Sequence, residues 1–368
     1  MARKTKSVPN CRAGAPPAVV EKHRQPRRLP YKPVAYAETP EKVIPLGSAN
    51  PLDGIVLEDP VAATESGGRA RWPSAPSSAG EQLGGVGHTA LPLAPIYRDD
   101  AHGIWLYHGN CLSILDAIAA KHPEGCFDMI FADPPYFLSN GGITCHAGKM
   151  VKVDKGDWDS SAKVFGADKS RATDFMHEFN TEWLKRCQKV LKPNGTIWVT
   201  GTYHVIFSVG YAMQQLGMKI LNDIAWEKPN PPPNLSCRYF THSTETVLWA
   251  AKTEKSKHVF NYKAMKRENH GKQMKTVWTM TAPKNGEKTF GKHPTQKPIA
   301  LVERCILAST RKGDIVCDPF MGGGTTGIGC VRTQRKFVGI ELDEVHARLA
   351  AARTRDQIVH SLPFEVDA

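Results

Sequence analysis

The chain has 368 residues and a net charge of +12, which is enough length for one large domain or two ordinary ones. No apolar run approaches the 18 or more residues of a membrane-spanning helix, and nine cysteines without a C-x-x-C pair match neither a disulfide framework nor a zinc ribbon. The composition therefore predicts a cytoplasmic protein with free thiols, no metal site and no contact with membranes.

Residues 1–95 form a basic segment rich in Pro, Ala and Gly, as in "CRAGAPPAVV". No sustained period of 2 or 3.6 runs through it, and such a segment buries too little apolar surface to offset the entropy lost on ordering. We therefore predict a disordered tail over residues 1–95 and one folded domain over residues 96–368.

From residue 104 onward, segments with strand and helix periodicity alternate. The predicted strands cover residues 104–109, 127–132, 196–201, 219–228, 244–252, 314–320 and 336–341. The predicted helices cover residues 111–122, 174–191, 203–217, 298–310, 325–334 and 343–355, with a turn at "KPNG" after the second helix. Strands separated by helices indicate an α/β fold with a mainly parallel sheet that is covered on both faces. Ligands of such sheets bind at the carboxyl ends of the strands.

The stretch "FADPPYF", residues 131–137, lies at one of these strand ends. Its two prolines remove two backbone donors and stiffen the chain. An acid, Asp133, and an aromatic ring, Tyr136, are therefore expected to be held rigidly around Pro134 and Pro135.

A second motif, "CDPFMGGGTTG" at residues 317–327, lies between a predicted strand and a predicted helix. Glycines there allow a tight turn and a close approach of the backbone to a ligand, and the helix start offers free N–H groups. Gly322, Gly324 and Gly327 match G-x-G-x-x-G, and Glu341 closes the next strand about 20 residues on, as a ribose-binding acid does. These residues predict a nucleoside site, for a dinucleotide or for another nucleoside cofactor.

Together, "DPPY" and "DPFMGGGTT" resemble the two signatures of S-adenosylmethionine-dependent DNA amino-methyltransferases. The order of the motifs resembles that of the circularly permuted beta group, and "GKHPTQKP" at residues 291–298 is similar to a further cofactor motif of the family. The resemblance covers residues 104 to 355 and implies a Rossmann-like sheet of seven strands. It is closest to the adenine-methylating enzymes of restriction-modification systems, from "DPPYFLSNGG", "KGDWD" and "CRYFTHSTETVLWA", with GATC or GANTC as candidate recognition sequences.

The resemblance also implies catalytic roles. The Asp133 carboxylate and the Pro134 carbonyl would each accept a hydrogen bond from one N–H group of the adenine N6 amine. These two hydrogen bonds would make the nitrogen lone pair more available for attack. Pro135 would keep that carbonyl pointing outward, and Tyr136 would stack on the base after it is flipped from the duplex. The amine would then attack the sulfonium methyl group of S-adenosylmethionine directly.

The cofactor residues implied by the resemblance are Asn110, Lys297, Asp318, Phe320, Gly322, Gly324 and Glu341. Glu341 would bind the ribose hydroxyls, Lys297 would meet the cofactor carboxylate, and the glycines would let the methionine part pass close to the backbone. At the position of Asn110 the family usually has an acid, and an amide can still accept and donate.

Two segments are candidates for DNA recognition. Residues 252–297 hold twelve basic and three acidic side chains, a local charge of +9, with Lys272 and Lys275 as candidate contacts. Residues 139–173 hold a second set of candidate contacts, which are Lys149, Lys152, Lys155 and Trp158. Charge alone equally fits a solvated lysine-rich loop, and the family resemblance favours nucleic acid.

The leading prediction is a site-specific adenine-N6 methyltransferase of duplex DNA. The alternatives are cytosine-N4 methylation, whose enzymes usually carry Ser in place of Asp133, and a DNA-binding protein without activity. An RNA or protein amine is a further alternative target, which the basic segment and the permuted motif order disfavour. An NAD enzyme is disfavoured because no residues for hydride chemistry accompany the glycines. A cognate restriction endonuclease and a monomeric or homodimeric state are further expectations.

Overall fold

The computed structural model describes residues 50–57, 91–136, 143–146, 149–152, 172–283, 287, 290 and 296–361. The strands are β1 Val56–Leu57, β2 Leu91–Pro92, β3 Tyr97–Asp99, β4 Ile104–His108, β5 Phe127–Ala132, β6 Ile143–His146, β7 Lys149–Lys152, β8 Leu191–Gly201, β9 Lys219–Glu227, β10 Thr244–Ala251, β11 Val277–Thr279, β12 Ile315–Asp318 and β13 Lys336–Glu341. The helices are α1 Cys111–Lys121, α2 Ala172–Val190, α3 Ile206–Gln215, α4 Tyr262–Glu268, α5 Ile299–Ser309, α6 Thr325–Thr333 and α7 Glu344–Ser361.

The main sheet of the described residues has nine strands in the order β11-β9-β10-β8-β5-β12-β13-β4-β3. All of them except β3 and β10 run in the same direction. The seven strands predicted from the sequence are all present, and β3 and β11, each three residues long, extend the two edges. The fold is therefore the expected mainly parallel α/β sheet, enlarged by one short strand on each side.

Helices cover both faces of the sheet. On one face, α1, α2 and α3 pack over a core that includes Trp105 and Tyr107 of β4. On the other face, α5, α6 and α7 pack over a core that includes Ile104 and Leu106 of the same strand. Because successive strand side chains point to opposite faces, a strand buried on both faces has a continuous apolar sequence rather than an alternating one.

Residues 50–57 differ from the predicted disordered tail, because they are packed against the folded domain. Leu52 is only 1% exposed, and the Asn50 side-chain amide donates a 2.7 Å hydrogen bond to the Tyr107 hydroxyl. Strand β1 pairs with β2 at the end of the same predicted tail. Because the surrounding sequence is rich in Pro and Gly, this short apolar segment gave no periodic signal of structure. The rest of the tail, residues 1–49 and 58–90, lies outside the described residues.

The "KPNG" segment also differs from its prediction as a turn between helix and strand. Helix α2 ends at Val190 and β8 begins at once at Leu191. The pairing of β5 with β8 changes register between Phe127 and Met129, so the segment forms an irregularity inside a strand.

Among the described residues, no helix combines the length and apolar character that a membrane span requires.

The packing of Leu52 leads to a stability prediction. Replacing this buried side chain in Leu52→Ala should lower the free energy of unfolding by about 2–5 kcal/mol, because it removes apolar burial and leaves a cavity. Leu235, which is 50% exposed, provides the matched control, and Leu235→Ala should change stability by less than about 1 kcal/mol. Denaturant unfolding of both variants measures the difference, and equal stabilities would show that residues 50–57 do not contribute to the core.

Candidate active site

Both sequence motifs lie at the same edge of the sheet because β5 and β12 are parallel neighbours. Asp133 follows the last residue of β5, and Asp318 is the last residue of β12. A cavity opens between these strand ends. It is lined by predicted site residues from both motifs and from other segments, namely Asn110, Asp133, Pro135, Lys297, Asp318, Phe320, Gly322 and Glu341.

Glu341, at the end of β13, is fixed by the backbone. Its Oε2 accepts a 2.8 Å hydrogen bond from the Gly322 N–H, and its Oε1 accepts a 2.9 Å hydrogen bond from the Asp343 N–H. Gly322 has a φ of +50°, in the left-handed region that glycine adopts readily. Burial raises the pKa of Glu341 while both N–H donors oppose that rise. Each oxygen retains lone-pair capacity for a ligand hydroxyl.

Asp318 is the most deeply buried acid of the cavity, with 3% exposure. Its Oδ2 accepts a 2.5 Å hydrogen bond from the Thr326 hydroxyl, and its Oδ1 accepts one of 3.0 Å from the Phe320 N–H. Burial nevertheless raises the pKa of Asp318 to about 7. A cationic ligand in the cavity would favour the ionised form of this carboxyl group.

Gly324 has a packing role besides its predicted contact with a cofactor, which stays a prediction. Its φ is +76°, and a Cβ atom there would lie 2.8 Å from the Cβ of Ala350 on α7. The residue precedes α6, so its lack of a side chain permits the close packing of α6 against α7. The glycines that line the cavity are Gly322 and Gly323.

Asn110 lines the cavity and also starts a helix. Its Oδ1 accepts a 2.9 Å hydrogen bond from the Leu112 N–H, which makes it the N-cap of α1. Aspartate and asparagine are both good N-caps. The replacement of the family's usual acid therefore preserves the local structure, and the predicted contact of Asn110 with a cofactor stays a prediction.

Asp133 is the centre of a buried hydrogen-bond network. Its Oδ1 accepts hydrogen bonds from the Tyr136 hydroxyl at 2.7 Å and from the Thr200 hydroxyl at 2.6 Å. Its Oδ2 lies 2.5 Å from the Lys297 ammonium group. In the structure the Lys297 ammonium group thus pairs with Asp133, and its predicted contact with a cofactor carboxylate stays a prediction.

Burial lowers the pKa of Lys297, but the charges of Asp133 and Glu245 outweigh this effect and raise it overall. The ammonium group also lies 5.3 Å from the centre of the Tyr136 ring. Tyr136 is only 6% exposed. Its ring is thus packed beside the network and not presented to solvent, as a freely stacking ring would be.

Three residues of this network, Thr200, Glu245 and Lys228, were missed in the sequence. Glu245 lies 3.9 Å from the Lys297 ammonium group and 3.5 Å from the Tyr136 hydroxyl through its Oε2, and its Oε1 pairs with the Lys228 ammonium group. A signal did exist, because Glu245 is the single acid in the strand "TETVLWAA". A carboxylate in an apolar strand requires a partner.

The predicted DNA-contact segment 252–297 divides into two parts. Its first residues follow Ala251, and β10 runs against its neighbours, so these residues start at the sheet edge opposite the cavity. Lys272 and Lys275 are exposed and precede β11, whose residues pair with the carboxyl end of β9. Because β10 is antiparallel to its neighbours, the first lysines of the segment, from Lys252 onward, follow the end of the strand that lies away from the cavity.

The second set of predicted DNA contacts lies mostly outside the residues that the structure describes. Lys155 and Trp158 are not among the described residues, and Lys149 and Lys152 are described only through the backbone of β7. Strands β6 and β7 form an antiparallel pair there. The roles proposed for these four side chains stay predictions.

Several known proteins resemble this chain over most of its folded part. Residues 127–352 match a family model described as DNA methylase. The type II methyltransferase M2.LlaDCHI of Lactococcus lactis subsp. cremoris is 52% identical over 282 residues, which are 76% of this chain and 98% of the relative. M2.DpnII of Streptococcus pneumoniae, also a type II methyltransferase, is 56% identical over 273 residues, or 74% of this chain and 95% of the relative.

A solved structure is similar as well. The crystal structure of an M1.HpyAVI-SAM complex is 30% identical, with a TM-score of 0.50, and the match covers 68% of this chain and 98% of that one. The similarity therefore extends over nearly the whole length of each of these three proteins.

The raised pKa of Asp318 predicts a pH dependence of stability. An acid that has a pKa of about 7 when folded, and of about 4 when unfolded, binds more protons in the folded state between these values. Its contribution to the free energy of unfolding therefore falls as pH rises from about 4 to about 7. Denaturant unfolding across this range should show wild type losing stability relative to Asp318→Asn by an amount on the order of 1–4 kcal/mol. Parallel pH profiles would contradict the assigned protonation.

Proposed function

Because this chain belongs to the N6/N4 DNA methylase family, we propose that it transfers a methyl group from S-adenosylmethionine to the N6 amine of a flipped-out adenine at a specific DNA sequence. The observation that carries the choice of adenine is Asp133. This acid stands at the motif position where cytosine-N4 enzymes usually carry Ser, and it lines the cavity between the strand ends.

The residues of the cavity fit S-adenosylmethionine. Glu341 offers carboxylate oxygens at a strand end, which suits ribose hydroxyls. Asp318 is buried with two uncharged donors, so the positive charges of the cofactor would favour its ionised form. Phe320 and Met321 add apolar surface to the lining. The cofactor supplies an electrophilic methyl group on a sulfonium ion.

Asp133 activates the target amine by accepting a hydrogen bond from one of its N–H groups. The lone pair of the exocyclic nitrogen is conjugated with the adenine ring, and acceptance of its hydrogens shifts the nitrogen toward a tetrahedral, nucleophilic state. Lys297 holds the Asp133 carboxylate in position through its 2.5 Å contact. Pro134 offers its carbonyl as the second acceptor, since the following proline restricts the local backbone.

Methyl transfer to DNA is tested directly with labelled S-adenosylmethionine and unmodified genomic DNA. Digestion to nucleosides should place the label in N6-methyladenine. Label in N4-methylcytosine would establish the alternative target, and unlabelled DNA would refute the proposed activity.

The recognition sequence and partners are proposed more broadly. GATC and GANTC are the candidate sites, to be compared in duplexes that differ from a scrambled control only at those bases. The named relatives are bacterial type II methyltransferases. We accordingly propose that the enzyme acts in the bacterial cytoplasm, as a monomer or homodimer, beside an endonuclease of the same specificity. DNA modified by this enzyme should then resist that endonuclease.

Removal of the Asp133 charge should abolish methyl transfer. Asp133→Asn keeps the shape of the side chain but replaces one acceptor oxygen with a donor, so the rate at saturating substrates should fall by at least about 100-fold. Calorimetric binding of S-adenosylmethionine should change much less. The surface variant Asp116→Asn provides the control, since Asp116 pairs with Arg186 on an exposed helix face. Turnover within two-fold of wild type in Asp133→Asn would contradict the assigned role.

The exposed lysines before β11 should contact DNA phosphates. Lys272→Ala and Lys275→Ala should each weaken binding to duplexes of any sequence and reduce the slope of log affinity against log salt by about 1. Arg311 and Lys312 are exposed residues that precede β12, at the edge of the sheet opposite the cavity. Their alanine variants are the matched controls. Equal losses from both pairs would show that the charge acts without a defined binding face.

A further inference from the structure

The Tyr136 hydroxyl group lies between two carboxylates. It donates a hydrogen bond to Asp133 Oδ1 at 2.7 Å and is 3.5 Å from Glu245 Oε2. Burial, together with these two negative charges, raises the pKa of Tyr136 well above its ordinary value, so the group keeps its proton. A phenol has a single proton to donate. It can therefore make one strong hydrogen bond to either carboxylate but not to both.

The carboxylate of Asp133 is nearly saturated with donors in this arrangement. Oδ1 receives both Tyr136 and Thr200, and Oδ2 receives Lys297. An ionised carboxylate has about four lone-pair sites. The remaining site is on Oδ2 beside the Lys297 ammonium ion. An incoming amine N–H that approaches Oδ1 therefore competes with the tyrosine hydroxyl, which is easier to displace than the buried ammonium ion at Oδ2.

Glu245 is held in place to receive the displaced hydroxyl. Its side chain is 12% exposed, its Oε1 is paired with Lys228, and its Oε2 is the atom that faces Tyr136. It is carried by β10, which pairs with strands on both sides. A strand with two neighbours is a rigid support, so Glu245 Oε2 remains beside the Tyr136 hydroxyl while the smaller groups rearrange.

We propose that Glu245 is a positioning residue for methyl transfer, which takes over the hydrogen bond of the Tyr136 hydroxyl when the target amine binds Asp133. The exchange frees one acceptor site on Asp133 for the amine and keeps the Tyr136 ring anchored beside the base. No covalent bond changes in this step, since the phenolic proton stays on Tyr136 and only its acceptor changes. The inference rests on the proposed function, because it concerns the amine that Asp133 receives.

A double-mutant cycle between Tyr136 and Glu245 tests the exchange. The rate of the chemical step is measured in a single turnover with saturating cofactor and duplex, for Glu245→Ala, Tyr136→Phe and the double variant. Glu245→Ala should slow the step by roughly 10- to 100-fold, the value of a hydrogen bond to a charged group. In the Tyr136→Phe background the same substitution should cost less than about three-fold, because the hydroxyl group through which it acts is gone.

The conservative variant separates positioning from charge. Glu245→Gln keeps an acceptor oxygen, so it should retain the rate within about five-fold, and the affinity for S-adenosylmethionine should stay within about two-fold in every variant. Should Glu245→Ala not fold, Glu245→Leu replaces it, since it also lacks the acceptor and fills similar space.

Glu268→Ala is the matched control for loss of a buried acid. Glu268 is 13% exposed and pairs with Arg304 on the helical layer, so its removal should lower thermal stability to a similar extent without slowing the chemical step. The inference is overturned if Glu245→Ala keeps the wild-type rate, or if its full loss persists in the Tyr136→Phe background. An inactive wild type would instead refute the proposed function, and the two failures are therefore distinguishable.

Discussion

The parallel pairing of β5 with β12 is the contact on which the site depends. Met129 pairs with Val316 and Ile130 with Cys317. The segments that follow the two strands therefore leave the sheet side by side at its carboxyl edge. Each strand is apolar because it is buried on both faces. The polar residues that end them, Asp133 and Asp318, are thereby brought to the rim of one cavity from distant parts of the sequence.

A balanced set of charges stabilises this rim. Asp133 and Glu245 face Lys297 and Lys228, and each of the four takes part in an ion pair or hydrogen bond within the set. A buried ion is costly unless it is paired and hydrogen-bonded. Removal of one member therefore leaves an uncompensated charge on its partner, so the role proposed for Asp133 depends on the lysine beside it.

Local patterns were good guides to the elements and to the motifs. Glu341 and Gly322 were predicted at one site, and they are joined by a 2.8 Å hydrogen bond. Prediction failed where a residue's partner came from elsewhere in the chain. The packing need for a glycine at position 324 was not foreseen, because only the position of α7 shows that Ala350 occupies the space of a Cβ atom there. Leu52 lies in a Pro- and Gly-rich tail, and its apolar contacts depend on the position of the folded domain.

The sequence by itself determined the class of fold and the two motifs, and it indicated Asp133 as the candidate catalytic acid, because strand periodicity and short motifs depend on neighbours along the chain. Only the tertiary structure decided that Lys297 faces Asp133, that Glu245 and Thr200 join them, and that the early lysines of the basic segment leave the cavity edge. These facts follow from strand order and from the reversed direction of β10. Contacts between distant segments have no signature in local spacing, since the core as a whole sets which strands become neighbours.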